Sequence, residues 1–150
     1  MTEQQNQFSP ICQLGYVVSD IQKTCEYYQR IFGMEFSEVI DVDMDGAILR
    51  GKPVNTKIKV AFAKSGDLEL ELIQPVEGEN LYTEFLASNG DGIHHIAFPV
   101  DDMDAMKAEF AKKGLEPLFY KDMGVMEFAY FDTTEFGGTM TEFHYWKMET

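Results

Sequence analysis

Residues 68–72 read Leu-Glu-Leu-Glu-Leu, so apolar and acidic side chains alternate strictly. That period of two marks a strand with one buried face. Comparable alternation runs through 11–18, 93–100 and 139–146. Elsewhere the period lengthens. Residues 20–32 (DIQKTCEYYQRIF) and 102–113 (DMDAMKAEFAKK) read as amphipathic helices, with Tyr27, Tyr28, Ile31 and Phe32 as one apolar stripe and Met103, Met106 and Phe110 as the other. Asp20 and Asp102 stand where N-caps belong, and Gly33 and Gly114 where each helix should stop. Extended runs follow each helix, at roughly 35–41, 46–51 and 57–73 and then at 116–121, 127–132 and 139–146. The long run is expected to break at Ser65-Gly66-Asp67, a hairpin turn.

The chain contains this pattern twice. ICQLGYVVSDI at 11–21 aligns without a gap on IHHIAFPVDDM at 93–103, so that Ile11 meets Ile93, Leu14 meets Ile96, Tyr16 meets Phe98 and Asp20 meets Asp102. Each half is a strand, a helix and three strands, with module one at about 9–74, a linker with a short helical patch (81–88) at about 75–92, and module two at about 93–146. One such unit buries too little to fold alone. Two can curl their sheets into a shared cup with the helices outside. The expected fold is therefore α+β, a single domain of two tandem βαβββ modules around a cup-shaped, partly closed sheet.

Alternation then assigns faces. Leu68, Leu70 and Leu72 belong against a helix, which sends Glu69 and Glu71 into the cup. By the same count Gln13, Gly15 and Val17 face inward, as do His95 and Ala97, with His94 on the helix side. Phe143 and Tyr145 are the apolar face of the last strand, with Glu142 opposite; His144 lies near the strand end and is expected to be solvated. Gln13 and His95 are equivalent positions in the repeat, and so are Glu71 and Glu142. A pseudo-twofold axis down the cup would bring all four together. Two buried carboxylates beside an imidazole and an amide are costly as a core, and a divalent cation resolves the conflict.

The formal net charge of −14 speaks against a nucleic-acid partner and an anionic membrane surface, without excluding a small anionic substrate. No apolar run approaches the ~20 residues needed to span a bilayer. The polar start MTEQQNQFSP lacks the features of a signal peptide; the first eight or so residues read as a loose arm and the protein as cytoplasmic. Cys12 and Cys25 have no metal or redox spacing and are expected to be buried free thiols.

These residues resemble the vicinal oxygen chelate superfamily, which includes glyoxalase I, methylmalonyl-CoA epimerase, extradiol dioxygenases and antibiotic-resistance proteins. The likeness covers about residues 11–146 and is plainest in NGDGIHHIAFPVDDMDAM at 89–106, in ELELIQP at 69–75 and in the Glu142 strand. The surroundings look like those of the epimerases. The ligand set the resemblance implies, Gln13, Glu71, His95 and Glu142, is similar to that of animal-type glyoxalase I. Val17 and Pro75 depart from that enzyme, which carries a glutathione-binding Arg and an Asn there. Ala47-Ile48-Leu49 departs from epimerases that carry an additional acid in this run.

One histidine with two carboxylates suits a redox-neutral Lewis acid, with Zn, Ni or Co favoured and Mn admitted by the oxygen ligands. The expected activity is a metal-dependent isomerase, epimerase or lyase that moves a proton next to a carbonyl or thioester, with Glu142 as leading base and Glu71 as its partner. The substrate would be an acyl thioester or a 2-oxoaldehyde adduct. Arg50 and Lys52, in the one local concentration of positive charge, are candidates to hold its carboxylate or phosphates. The alternatives are a metal-free binding or resistance protein of the same fold and a dioxygenase. A homodimer is expected.

Overall fold

Strand β1 (Gln13–Val17) opens the computed structural model, which describes residues 9–147; the N-terminal arm expected from the sequence lies outside them. Then follow α1 (Ile21–Phe32), β2 (Ile40–Asp43), β3 (Ala47–Leu49), β4 (Lys52–Val54), β5 (Lys57–Ser65) and β6 (Leu68–Glu77). After α2 (Leu81–Asn89) come β7 (Gly92–Pro99), α3 (Met103–Lys112), β8 (Phe119–Asp122), β9 (Met126–Phe131) and β10 (Met140–Trp146). Among the described residues all strands join one sheet in the order β2-β5-β6-β1-β7-β10-β9-β8-β3-β4.

The repeat is visible in that order. β1 and β7 pair antiparallel at the centre, and each has a parallel neighbour on its other side, β6 and β10. Parallel neighbours need a crossover connection, and α1 and α3 lie on those connections. The result is a curled ten-stranded half-barrel with the α+β architecture expected from the duplicated pattern. Both helices start as the sequence predicts: Asp20 accepts from the Lys23 N–H and Asp102 from the Ala105 N–H, each at 3.0 Å.

Two features differ from the sequence expectation. The run at 46–51 is not a third equivalent strand. It forms a hairpin, β3–β4, turning at Arg50 (φ 49) and Gly51 (φ 81), a two-residue turn with both centres left-handed. Because β2 and β5 pair directly, the hairpin has no place between them. It crosses to the other half and adds to β8, with Ile48 opposite Tyr120 and Leu49 opposite Phe119. Helix α1 also sits in a different phase. Its N-terminus is pinned by the Ile21 N–H donating to Gln74 Oε1 (2.9 Å), and Ile21 and Cys25 pack on Val18, Ala61 and Leu72. Tyr27, Ile31 and Phe32, expected to be the buried stripe, are therefore exposed.

Helix α2 closes the bottom of the cup. Asn80 caps it in a reciprocal box with Thr83, and its side-chain amide donates to Thr56 Oγ1 at 2.6 Å. Leu81 and Tyr82 then enter the inner cluster with Val17, Ile73 and Tyr130. Replacing Asn80 by alanine removes the helix cap and the hydrogen bond that Thr56 Oγ1 accepts, so Asn80→Ala is expected to destabilise the protein by about 1–3 kcal/mol in a urea unfolding curve. Among the described residues no helix is long and apolar enough to cross a membrane.

Candidate functional site

Register places the four repeat-matched residues on two neighbouring rows of the sheet's inner face. Glu71, Gly15 and His95 lie side by side on β6, β1 and β7. One row along, Glu69 pairs with Gln13, Gln13 with Ala97, Ala97 with Glu142 and Glu142 with Tyr130. The sheet's curl converges these rows. His95 Nε2 lies 3.2 Å from Gln13 Oε1, 3.4 Å from Glu142 Oε1 and 3.6 Å from Glu71 Oε1. The imidazole is completely buried. It has room to lie flat because Gly15 has no side chain: a Cβ there would stand 1.9 Å from His95 Cε1.

Three neighbours of this group were not among the site candidates, although Glu69 was already assigned to the cup. Glu69 Oε1 accepts from Gln13 Nε2 at 2.8 Å, which turns the amide oxygen of Gln13 toward His95. His144 was expected to be solvated. It is buried, with Nε2 2.5 Å from Glu142 Oε1, because β10 runs on to Trp146 and keeps 142 and 144 on the same inner face. His94 was expected beside Ile96 and Phe98 on the helix side. A β-bulge overturns that: Gly15 pairs with His95 but Tyr16 pairs with Ile93, so His94 is the extra residue. It turns inward under α2, edge-on to Phe85 and Tyr82 at 5.1 and 5.3 Å, and its Nδ1 lies 3.0 Å from Nδ1 of His95.

The electrostatics follow from these contacts. Burial, reinforced by the charge of Glu142, raises the Glu71 carboxyl despite the opposing pull of His95 at 3.6 Å. Burial acts in the same direction on Glu142, but the charges of His144 and His95 and hydrogen bonds from His144 and Tyr130 outweigh it and hold that carboxyl below its ordinary value. Burial would lower His144. Glu142, a hydrogen bond with Cys12 and the charge of Glu71 push it up to about 11 instead. Burial and the neighbouring His95 lower His94 to about 3, so His94 is neutral. Tyr130 also shares a 2.7 Å hydrogen bond with Tyr82.

Gln13, Glu71, Glu142 and His144 form the floor of a cavity of about 490 Å³. Its walls are apolar, with Met44, Val60 and Phe62 on one side and Met123, Met126 and Phe128 on the other. Lys64, Asp67 and Trp146 also border it, as does the thiol of Cys12, which is half-buried rather than buried. Arg50 and Lys52 are not among its lining residues. The Arg50 guanidinium is engaged by Glu84 through two 2.8 Å bonds, and Lys52 is exposed on β4. Ala47 and Leu49 are buried in the inner cluster, so that run brings no carboxylate to the cup.

The donor set can be tested against a metal. Around an ion with bonds of about 2.1 Å, neighbouring ligand atoms sit roughly 3.0–3.4 Å apart. The separations of 3.2, 3.4 and 3.6 Å at His95 Nε2 fall in or close to that range. The donors touch one another directly, and among the described residues no group of three or more His, Cys, Asp or Glu stands as it would to hold a metal ion.

Residues 12–130 match the model of the glyoxalase/bleomycin resistance protein/dioxygenase superfamily. The chain belongs to this superfamily. Within it, the chain is 28% identical over 124 residues to the mitochondrial methylmalonyl-CoA epimerase of Mus musculus, an alignment covering 76% of this chain and 64% of that protein. The chain thus spans less than two thirds of that relative's length. The structure of the methylmalonyl-CoA epimerase from Mycobacterium tuberculosis superposes with a TM-score of 0.74 at 18% identity, covering 98% of this chain and 94% of that one. A variant of the Streptomyces coelicolor methylmalonyl-CoA epimerase, in complex with 2-nitronate-propionyl-CoA, gives a TM-score of 0.65 at 24% identity and covers 93% and 95% of the two chains. These two structures share the fold of the cup described above.

Proposed function

We propose that this chain is an epimerase acting at the carbon beside an acyl-thioester carbonyl, with one divalent cation held by Gln13, Glu71, His95 and Glu142. The observation that carries the reading is the convergence of two carboxylates on one buried imidazole at the floor of a cavity with largely apolar walls. The epimerase names of its superfamily relatives support the same class.

A bound cation would supply positive charge for the carbonyl oxygen and so lower the cost of an enolate. The protein's own groups move the proton. Glu142 takes it from the carbon next to the carbonyl, the C–H electron pair remains as the enolate, and Glu71 returns a proton to the opposite face. His144 and Tyr130 hold Glu142 in position by hydrogen bonds. The walls, among them Met44, Val60 and Phe128, keep water from the enolate. A second reading rests on Gln13: the amide oxygen at His95 gives the donor set of a glyoxalase, in which the proton returns to the neighbouring carbon instead.

One epimer of methylmalonyl-CoA, incubated with the metal-loaded protein, is expected to reach an even mixture of both. A chain that leaves it unchanged but converts the methylglyoxal–thiol adduct to a lactoylthiol would establish the glyoxalase reading in its place. Glu69 supplies a further check. Glu69→Ala frees the Gln13 amide to turn its nitrogen inward, and zinc affinity in a calorimetric titration is expected to fall about 10–100-fold with little change in Tm. Unchanged affinity would show that the Gln13–Glu69 contact does not serve the cation.

A further inference from the structure

His94 fills a position that packing alone does not explain. It is 2% exposed and lies among aromatic rings: Tyr82, Phe85 and Tyr130 all stand edge-on to it, at 5.1–5.8 Å between centroids. A phenylalanine would suit such a place. Histidine carries a cost there, because its Nε2 is the single buried side-chain nitrogen or oxygen without a hydrogen-bond partner among the described residues. Its one polar contact is with His95, Nδ1 to Nδ1 at 3.0 Å. The chain also forms the bulge at this point, which is what brings two successive side chains inward.

A hydrogen bond between two Nδ1 atoms needs one proton, so the tautomers of the two rings are linked. His95 Nε2 faces the oxygens of Gln13, Glu142 and Glu71 and carries either a proton or a metal ion. With a metal there, the lone pair of Nε2 must be free. The ring's proton then sits on Nδ1 and needs an acceptor, and among the described residues Nδ1 of His94 is the one in contact with it. We infer that His94 is a positioning residue for the cation site: it accepts the Nδ1 proton of His95 and thereby holds His95 in the tautomer, and at the ring angle, that leave Nε2 open to the metal. The inference rests on the proposed cation site. It adds that this ligand is oriented by a neighbouring histidine, where carboxylates, backbone carbonyls and water are the usual partners.

The pair also behaves as a relay. When His95 Nε2 carries a proton, His94 donates from Nδ1 and its Nε2 is bare. A metal bound at His95 Nε2 would release that proton; the bridging proton would pass from His94 Nδ1 to His95 Nδ1, and His94 would take up one proton at Nε2, so that one is lost and one gained. Loading the site thus changes the protonated nitrogen on both rings with no net change in their charge.

Two variants and one spectrum test this. His94→Phe keeps a ring in the aromatic pocket but removes the acceptor. His94→Asn offers a carboxamide oxygen near the Nδ1 position. The probe is zinc alone, titrated calorimetrically into the metal-free full chain. His94→Phe is expected to bind zinc about 10–100-fold more weakly than the unaltered protein, with a metal-free Tm that is unchanged or higher, and His94→Asn to recover most of the affinity. Long-range proton–nitrogen correlation of the zinc-loaded unaltered protein should show His95 protonated at Nδ1 and His94 at Nε2. Equal zinc affinity in His94→Phe, or a metal-free Tm that falls in step with affinity and is not restored by asparagine, would overturn the positioning role. So would a zinc-loaded His95 bound through Nδ1. If the unaltered chain takes up no zinc, cobalt, nickel or manganese, the cation site itself fails and the role of His94 with it.

Discussion

A Gly15→Ala protein is expected to lose its bound cation and its turnover together. The alanine Cβ would stand 1.9 Å from His95 Cε1, 2.3 Å from Nε2 and 2.4 Å from Nδ1. None of these atoms can yield cheaply. The His95 ring is buried, braced by His94 on one side and by Tyr130 at 5.1 Å, edge-on, on another. It must leave its place or push the central strand pair apart. Overpacking of this kind costs about 1–3 kcal/mol, equivalent to a fall in Tm of roughly 2–10 °C for a domain of this size. The larger effect is on chemistry, because displacing a ligand by about 1 Å can cost on the order of 100-fold in rate. Parallel measurements of metal stoichiometry, Tm and turnover decide it. Normal metal content in Gly15→Ala would show that the imidazole does not lie across Gly15.

The second large effect concerns Glu142. Glu142→Gln preserves shape and leaves His144 and Tyr130 something to bond, but an amide cannot take a proton from carbon. Turnover is expected to fall about 10²–10⁴-fold, the range for loss of a positioned general base. Tm should stay within a few degrees, since the residue sits at the cup floor and not in the packed layers under α1 and α3. Near-normal turnover in this variant would remove Glu142 from the proton-transfer role. Glu71→Gln, tested alongside, should slow exchange from the opposite epimer more than from the first, because each carboxylate serves one face.

The convergence of Gln13, Glu71, His95 and Glu142 was legible in the sequence because strict alternation turns all four inward, the 82-residue offset matches Gln13 with His95, and Glu71 and Glu142 each sit on the last strand of their module; the structure brings His95 within contact of the other three. What escaped depends on backbone irregularity and long-range register. His94 could not be placed by counting, since a bulge opposite Gly15 and Tyr16 shifts the phase of β7 by one residue. His144 was misjudged although its run was read as reaching 146: β10 is flanked there by both β7 and β9, with Pro99 and Phe128 opposite His144, and that long-range pairing buries the ring. Lys64 borders the cup through its pairing with Glu69 across the β5–β6 hairpin, whereas the conspicuous Arg50 is spent on Glu84 of α2. The crossing of β3–β4 to β8 joins residues some seventy positions apart, which no local period encodes.

The most direct measurement of the central claim is solvent exchange. Methylmalonyl-CoA is incubated in D₂O with the metal-loaded chain, with the same chain stripped by a chelator, and with the stripped chain resupplied with cobalt, nickel, zinc or manganese; deuterium at the carbon beside the thioester is read by mass spectrometry. Proton transfer by Glu71 and Glu142 at a cation site predicts one deuterium per molecule in the loaded sample, none above background in the stripped one, and recovery with at least one of the metals. A folded, metal-loaded protein that introduces no deuterium, or a stripped one that exchanges as fast as the loaded one, would contradict it.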